Sequence, residues 1–118
     1  MSVSDWQSFI TQTDKRMGEL RTGIPGVAKG FAELARSAIA PGVLDSKTKE
    51  LIALAIGITA RCDGCLAYHA KAAAKYGATR DEIIETIGVA VYMGGGPSMI
   101  YGAEALAAFD AFATKDEA

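Results

Sequence analysis

Two cysteines and one histidine, the only ones in the chain, fall within eight consecutive positions: Cys62-Asp63-Gly64-Cys65-Leu66-Ala67-Tyr68-His69. If the stretch is helical, Cys62 and Cys65 are i,i+3, and Cys65 and His69 are i,i+4. Both spacings place side chains on one face, about 5–6 Å apart at Cβ. A thiolate rather than a thiol is the nucleophile. His69, one turn beyond Cys65, makes Cys65 the activated nucleophile beside a base. Cys62 is close enough to attack a sulfenic acid on Cys65, closing a disulfide and releasing water. A second argument points the other way: Cys62 lies nearer the helix start, where the dipole lowers a thiol pKa. The imidazole is weighed above the dipole because it also carries a proton.

Glu50, twelve residues before Cys62, is the third element. A carboxylate at the edge of an apolar helix needs a partner, since an unpaired buried charge is costly. An imidazole is one such partner, and Glu50–His69–Cys65 would then form a proton relay in which the carboxylate orients the ring. A solvated first-turn Glu50 in contact with the helix dipole is the competing reading, and the spacing leaves both open. Zinc is another alternative, with Cys62, Cys65 and His69 as ligands and Glu50 or water as the fourth. Three ligands from one rigid helix enclose a metal poorly, so no metal and no cofactor are expected. Buried inert cysteines are the remaining alternative, but the triple coincidence of spacing is harder to explain that way.

The elements that must position these residues read as an all-α chain of about six short helices in a compact bundle. Ser4 and Gln7 form a capping-box start to a helix over 5–20, with Trp6, Phe9, Ile10, Met17 and Leu20 at helical spacing. Gly23-Ile24-Pro25-Gly26 breaks it. The second helix, roughly 26–38, is expected to turn Val27, Phe31, Leu34 and Ala35 inward, and Pro41-Gly42 ends it. Asp45 or Ser46 caps a third, about 46–60, apolar on all sides from Leu51 and therefore expected to be central and buried. A tight join at Arg61 and Asp63-Gly64 leads into the fourth, running to Tyr76 and stopped by Gly77. Thr79-Arg80-Asp81-Glu82 is a capping box for the fifth, with Ile83, Ile84, Ile87 and Val91 on one face. Gly94-Gly95-Gly96 stops that helix, and Pro97 fits the first turn of the last, about 97–113, with Ile100, Leu106, Phe109 and Phe112 as its apolar residues. No Gly-Lys-Ser/Thr follows the glycines, so they are not a phosphate loop. Tyr68, Tyr92 and Met93 are read as core, or as the lining of an apolar approach to Cys65. The tail Lys115-Asp116-Glu117 is expected to fray.

The 118 residues fit one domain, 1–118. Half are hydrophobic and 22 are alanine, which lets helices approach closely but supplies little area per residue. Such a chain is expected to bury further surface against copies of itself. A net charge of −2 and a pI near 5.3 leave no basic footprint for nucleic acid. Scattered lysines and arginines argue against a membrane surface. The longest apolar run, Leu51 to Ala60, is about half the roughly 20 residues a membrane span needs. Met1-Ser2-Val3-Ser4-Asp5-Trp6 has no signal-peptide pattern, so a cytoplasmic location is expected. There, a Cys-x-x-Cys is catalytic or metal-binding more often than a structural staple.

Glu50, eleven intervening residues, Cys62-x-x-Cys65, three more and His69 resemble the signature of the alkylhydroperoxidase D-like core of the carboxymuconolactone decarboxylase superfamily. The resemblance covers about 25–113, including the apolar helix before the cysteines, the small-residue helix after them and the Gly94-Gly95-Gly96-Pro97 break. It implies an all-helical homotrimer or homohexamer that reduces small alkyl hydroperoxides. Carried over, Cys65 is peroxidatic, Cys62 resolving, and His69 with Glu50 the proton relay. It also implies an external dithiol donor, lipoylated or thioredoxin-like. Peroxidase members carry a further histidine directly before the second cysteine; here that position is Gly64, and the relay is one group poorer. The decarboxylase branch lacks the cysteine pair, which counts against lactone decarboxylation. Two readings stand beside peroxidase turnover: a redox-sensing or ligand-binding module without turnover, and an enzyme acting on a small lactone or carbonyl compound.

Overall fold

The computed structural model describes the backbone of residues 5–117 and the side chains of 5–113. Six helices follow one another: α1 Trp6–Gly23, α2 Pro25–Ile39, α3 Ser46–Thr59, α4 Asp63–Lys75, α5 Arg80–Gly94 and α6 Gly96–Glu117. Among the described residues there is no strand, and Val89–Tyr92 is helical despite its β-branched character. No described helix is long and apolar enough to cross a membrane.

Local chemistry sets most of the boundaries. Asp5 caps α1 by accepting the Ser8 N–H at 3.0 Å; the Ser4 cap expected from sequence lies outside the described residues. Asp45, rather than Ser46, caps α3 through the Thr48 N–H. Both arms of the Thr79–Glu82 capping box are made at α5. The last helix continues to Glu117, so the expected fray at 115–117 is not a break in its backbone.

The core centres on α4, which packs mainly against α6 and α3. Leu54 and Ile58 of α3, Leu66 of α4 and Ile83 of α5 are fully buried there. Ala67, Ala70 and Ala73 of α4 and Ala105 and Ala108 of α6 are buried in the same cluster, where small side chains permit close helix approach. Trp6 and Ile10 bring α1 onto this body, and Phe109 and Phe112 anchor α6. Ion pairs tie the outside together: Lys47 to Glu82 between α3 and α5, and the Arg80 fork to Asp110 between α5 and α6.

Several apolar residues expected inside lie outside. Helix α2 buries nothing: Val27, Phe31 and Leu34 are 68%, 66% and 64% exposed, and Ala35 is exposed too. On α3 only one side is covered, and Ile52 and Ile56 face outward. Leu20, Ile84, Tyr92, Met93 and Ile100 are also exposed. The common reason is geometric. A single chain of this length covers one face of each helix, and the second apolar face has no intramolecular partner.

Candidate redox site

The site is built at the join between α3 and α4. Helix α3 ends in a Schellman motif: the Arg61 N–H bonds to the Ile58 carbonyl at 3.1 Å, and the Cys62 N–H to the Gly57 carbonyl at 3.1 Å. Arg61 takes the left-handed conformation this turn requires, with φ 57°. The turn delivers Cys62 as the N-cap of α4, where its Sγ accepts the Cys65 N–H at 3.1 Å. Cys62 and Cys65 are joined in a disulfide, Cα to Cα 5.2 Å, and neither thiol is free.

Gly57 makes room for this. A Cβ built on it would lie 2.8 Å from the Cβ of Cys65, so only glycine lets α3 approach the second cysteine this closely. Gly57 lies seven residues after Glu50, two turns along the same stripe of α3. Glu50 is 6% exposed, and its Oε1 sits 2.6 Å from Nδ1 of His69. An ionised carboxylate can only accept, so the His69 Nδ1–H donates to it. That leaves Nε2 as the ring nitrogen for proton exchange. The His69 side chain is about a third exposed, so the ring reaches from a buried carboxylate toward solvent.

The four predicted residues therefore lie on α3 (Glu50), at the N-cap of α4 (Cys62) and within α4 (Cys65 and His69). The contact between Glu50 and His69, which spacing left open, is made within one chain. Cys62 is a cap rather than a member of the helix, so its backbone is extended and its sulfur sits over the helix N-terminus. The pair can store two electrons, and the carboxylate–imidazole pair can hold or release a proton.

Three further features escaped sequence reasoning. Gly57 had one signal, an isolated glycine inside an apolar helical run. The Tyr68 hydroxyl donates to Asp14, fastening α1 over the residue beside His69. Burial, with the Asp14 hydrogen bond adding to it, pushes the Tyr68 phenol up to about 12. Asp63, between the cysteines, has a buried Oδ1 with no hydrogen-bond partner. Nothing in the sequence marks the last two features. Among the described residues, no three His, Cys, Asp or Glu side chains are grouped as ligands for a metal ion.

Comparisons with known proteins agree on one group. The model of the carboxymuconolactone decarboxylase family matches residues 25–108. An uncharacterised protein of Cupriavidus necator, H16_B0147, is 33% identical over 109 residues, spanning 92% of this chain and 96% of that protein. Among solved structures, apo-lpg0406 of Legionella pneumophila, a carboxymuconolactone decarboxylase family protein, superposes with a TM-score of 0.88. It is 44% identical, over 92% of this chain and 96% of that one. TM1620 of Thermotoga maritima, described in connection with an antioxidative response, superposes with a TM-score of 0.81 at 27% identity, covering 92% of each chain.

Proposed function

Because the chain belongs to the carboxymuconolactone decarboxylase family, we propose that its Cys62–Cys65 pair is the redox centre of an antioxidant peroxidase that reduces small alkyl hydroperoxides. The observation that carries this reading is the disulfide beside a buried Glu50–His69 pair held at 2.6 Å. In the reduced protein His69, oriented by Glu50, draws the proton from Cys65. The Cys65 thiolate attacks the terminal peroxide oxygen and the O–O bond breaks. The alkoxide takes a proton from the His69 imidazolium and leaves as alcohol. Cys65 now carries a sulfenic acid. Cys62 attacks that sulfur, the disulfide forms, and hydroxide leaves with the Cys62 proton as water. An external dithiol, on a lipoylated or thioredoxin-like protein, returns two electrons and two protons. The cytoplasm, where thiols are kept reduced, suits such a cycle.

Steady-state peroxide consumption with a dithiol tests the assignment. Cys65→Ser abolishes turnover, and Cys62→Ser permits one oxidation event and then stalls. Full activity in both variants would refute the mechanism. A redox-sensing role without turnover is favoured by one feature, Gly64 in the place where peroxidase members carry a histidine. Multiple turnovers with any physiological dithiol separate the two.

The reading includes assembly into a homotrimer or homohexamer. The chain exposes 7363 Å², against roughly 6,100 Å² expected of a compact monomer of its mass. Large apolar side chains are among the exposed residues, and Val27, Phe31 and Leu34 of α2 form a regular stripe of them. A second copy is the occupant favoured here, since every copy has the same uncovered face. Phe31→Glu is expected to shift the protein toward monomer in light scattering; an unchanged mass would count against assembly through this face.

A further inference from the structure

Two helices of this chain end in the same motif with different residues at its left-handed position. At the end of α4 that residue is Gly77, with φ 87°; its N–H bonds to the Ala74 carbonyl, and the Ala78 N–H to the Ala73 carbonyl. At the end of α3 the equivalent bonds are made around Arg61. Glycine adopts this conformation without steric cost, whereas a residue with a Cβ does not. The motif itself therefore does not call for arginine. Arg61 is exposed, makes no ion pair among the described residues, and directly precedes Cys62 of the disulfide. A strained non-glycine backbone beside a reactive group is a reason to look for function in the side chain.

We propose that Arg61 is a specificity-determining residue that favours dithiol reductants carrying a carboxylate. The proposal rests on the redox reading given above and extends it to the reductive half of the cycle. A thiolate of the reductant attacks one sulfur of the Cys62–Cys65 bond. The other sulfur leaves with the bonding pair as a thiolate. The second thiol of the reductant then displaces the mixed disulfide, so the reductant loses two electrons and two protons and the pair gains them. A guanidinium on the exposed residue next to Cys62 attracts an anionic reductant during approach and leaves a neutral one unaffected.

Dihydrolipoate and dihydrolipoamide test this, because they share one dithiol and differ in one charge. Stopped-flow reduction of the oxidised protein at low ionic strength is the measurement. Wild type is expected to react about three- to five-fold faster with dihydrolipoate, once the rates are corrected for intrinsic reactivity toward a small model disulfide. Arg61→Gly, which relieves the backbone, abolishes that preference; Arg61→Lys keeps it; high salt erases it in wild type. Any change in cysteine acidity acts on both reagents alike and cancels in the ratio. An unchanged ratio in Arg61→Gly overturns the role of Arg61 alone. A disulfide that neither reagent reduces overturns the redox reading as well.

Discussion

Gly57→Ala is the substitution that most directly probes how the site is held together. Its new Cβ would lie 2.8 Å from the Cβ of Cys65. That carbon cannot rotate away, because it is fixed to the α4 backbone on one side and to the disulfide on the other. The helices must separate by several tenths of an ångström. Overpacking of this kind costs about 1–3 kcal/mol. Replacing glycine by alanine inside a helix returns about 1 kcal/mol, so the expected net effect is about 0–2 kcal/mol of destabilisation. Gly88→Ala is the control: Gly88 lies within α5 with nothing within 4 Å of its added Cβ, and the substitution should stabilise by about 1 kcal/mol. At roughly 4 °C per kcal/mol for a chain of this size, the two variants should differ in Tm by about 4–12 °C, read by calorimetry. Glu50 shares the stripe of Gly57, so separating α3 from α4 also lengthens the Glu50–His69 contact. Peroxide consumption should fall about 10-fold or more, as small misplacements of reacting groups do. A Gly57→Ala protein as stabilised as Gly88→Ala, with full activity, would refute the close-approach argument.

Further outcomes follow from the same contacts. Glu50→Gln keeps the shape but not the charge that orients His69, and peroxide reduction should drop about 100-fold in kcat while Tm changes little. Thr79→Ala removes the side chain that caps α5 through the Glu82 N–H; loss of about 1 kcal/mol is expected in urea titration. Tyr68 supplies a pH test. Its phenol is raised from 10.0 to about 12 by burial and the Asp14 bond, so the folded state holds its proton more tightly than the unfolded chain does. The stability this contributes is complete below pH 10 and is lost as pH rises toward 12. Tm measured across pH 9–12 should therefore fall less steeply in Tyr68→Phe than in wild type.

The candidate residues could be picked out because the chemistry they offer is compressed into a short stretch, and the structure brings Glu50 to His69 and Cys62 to Cys65. Cys62 and Cys65 are the only cysteines and His69 the only histidine, and Glu50 stands just ahead of a continuous apolar run. Six helices were also legible, since capping chemistry at Asp45 and Thr79 and the breaks at Gly77 and Gly94-Gly95-Gly96 are local. What sequence could not separate was an apolar face buried within the chain from one left for another molecule. Phe31 and Leu34 have the same period and hydrophobicity as Ile83 and Phe109, yet the first pair is exposed and the second buried. Periodicity reports that a face must be covered and says nothing of what covers it. Distant pairs such as Tyr68 with Asp14, fifty-four residues apart, leave no periodic trace. The cap role of Cys62 was hidden by Arg61, because a left-handed residue is normally signalled by glycine.

The central claim is that Cys62 and Cys65 react with peroxide as a coupled pair. Intact-protein and peptide mass spectrometry on the reduced protein, before and after one equivalent of an organic hydroperoxide, tests it most directly. The account predicts rapid loss of two hydrogens, mapped to a Cys62–Cys65 disulfide and reversed by a dithiol, with Cys62→Ser instead retaining one added oxygen on Cys65. Two thiols left unreacted by the hydroperoxide would contradict it.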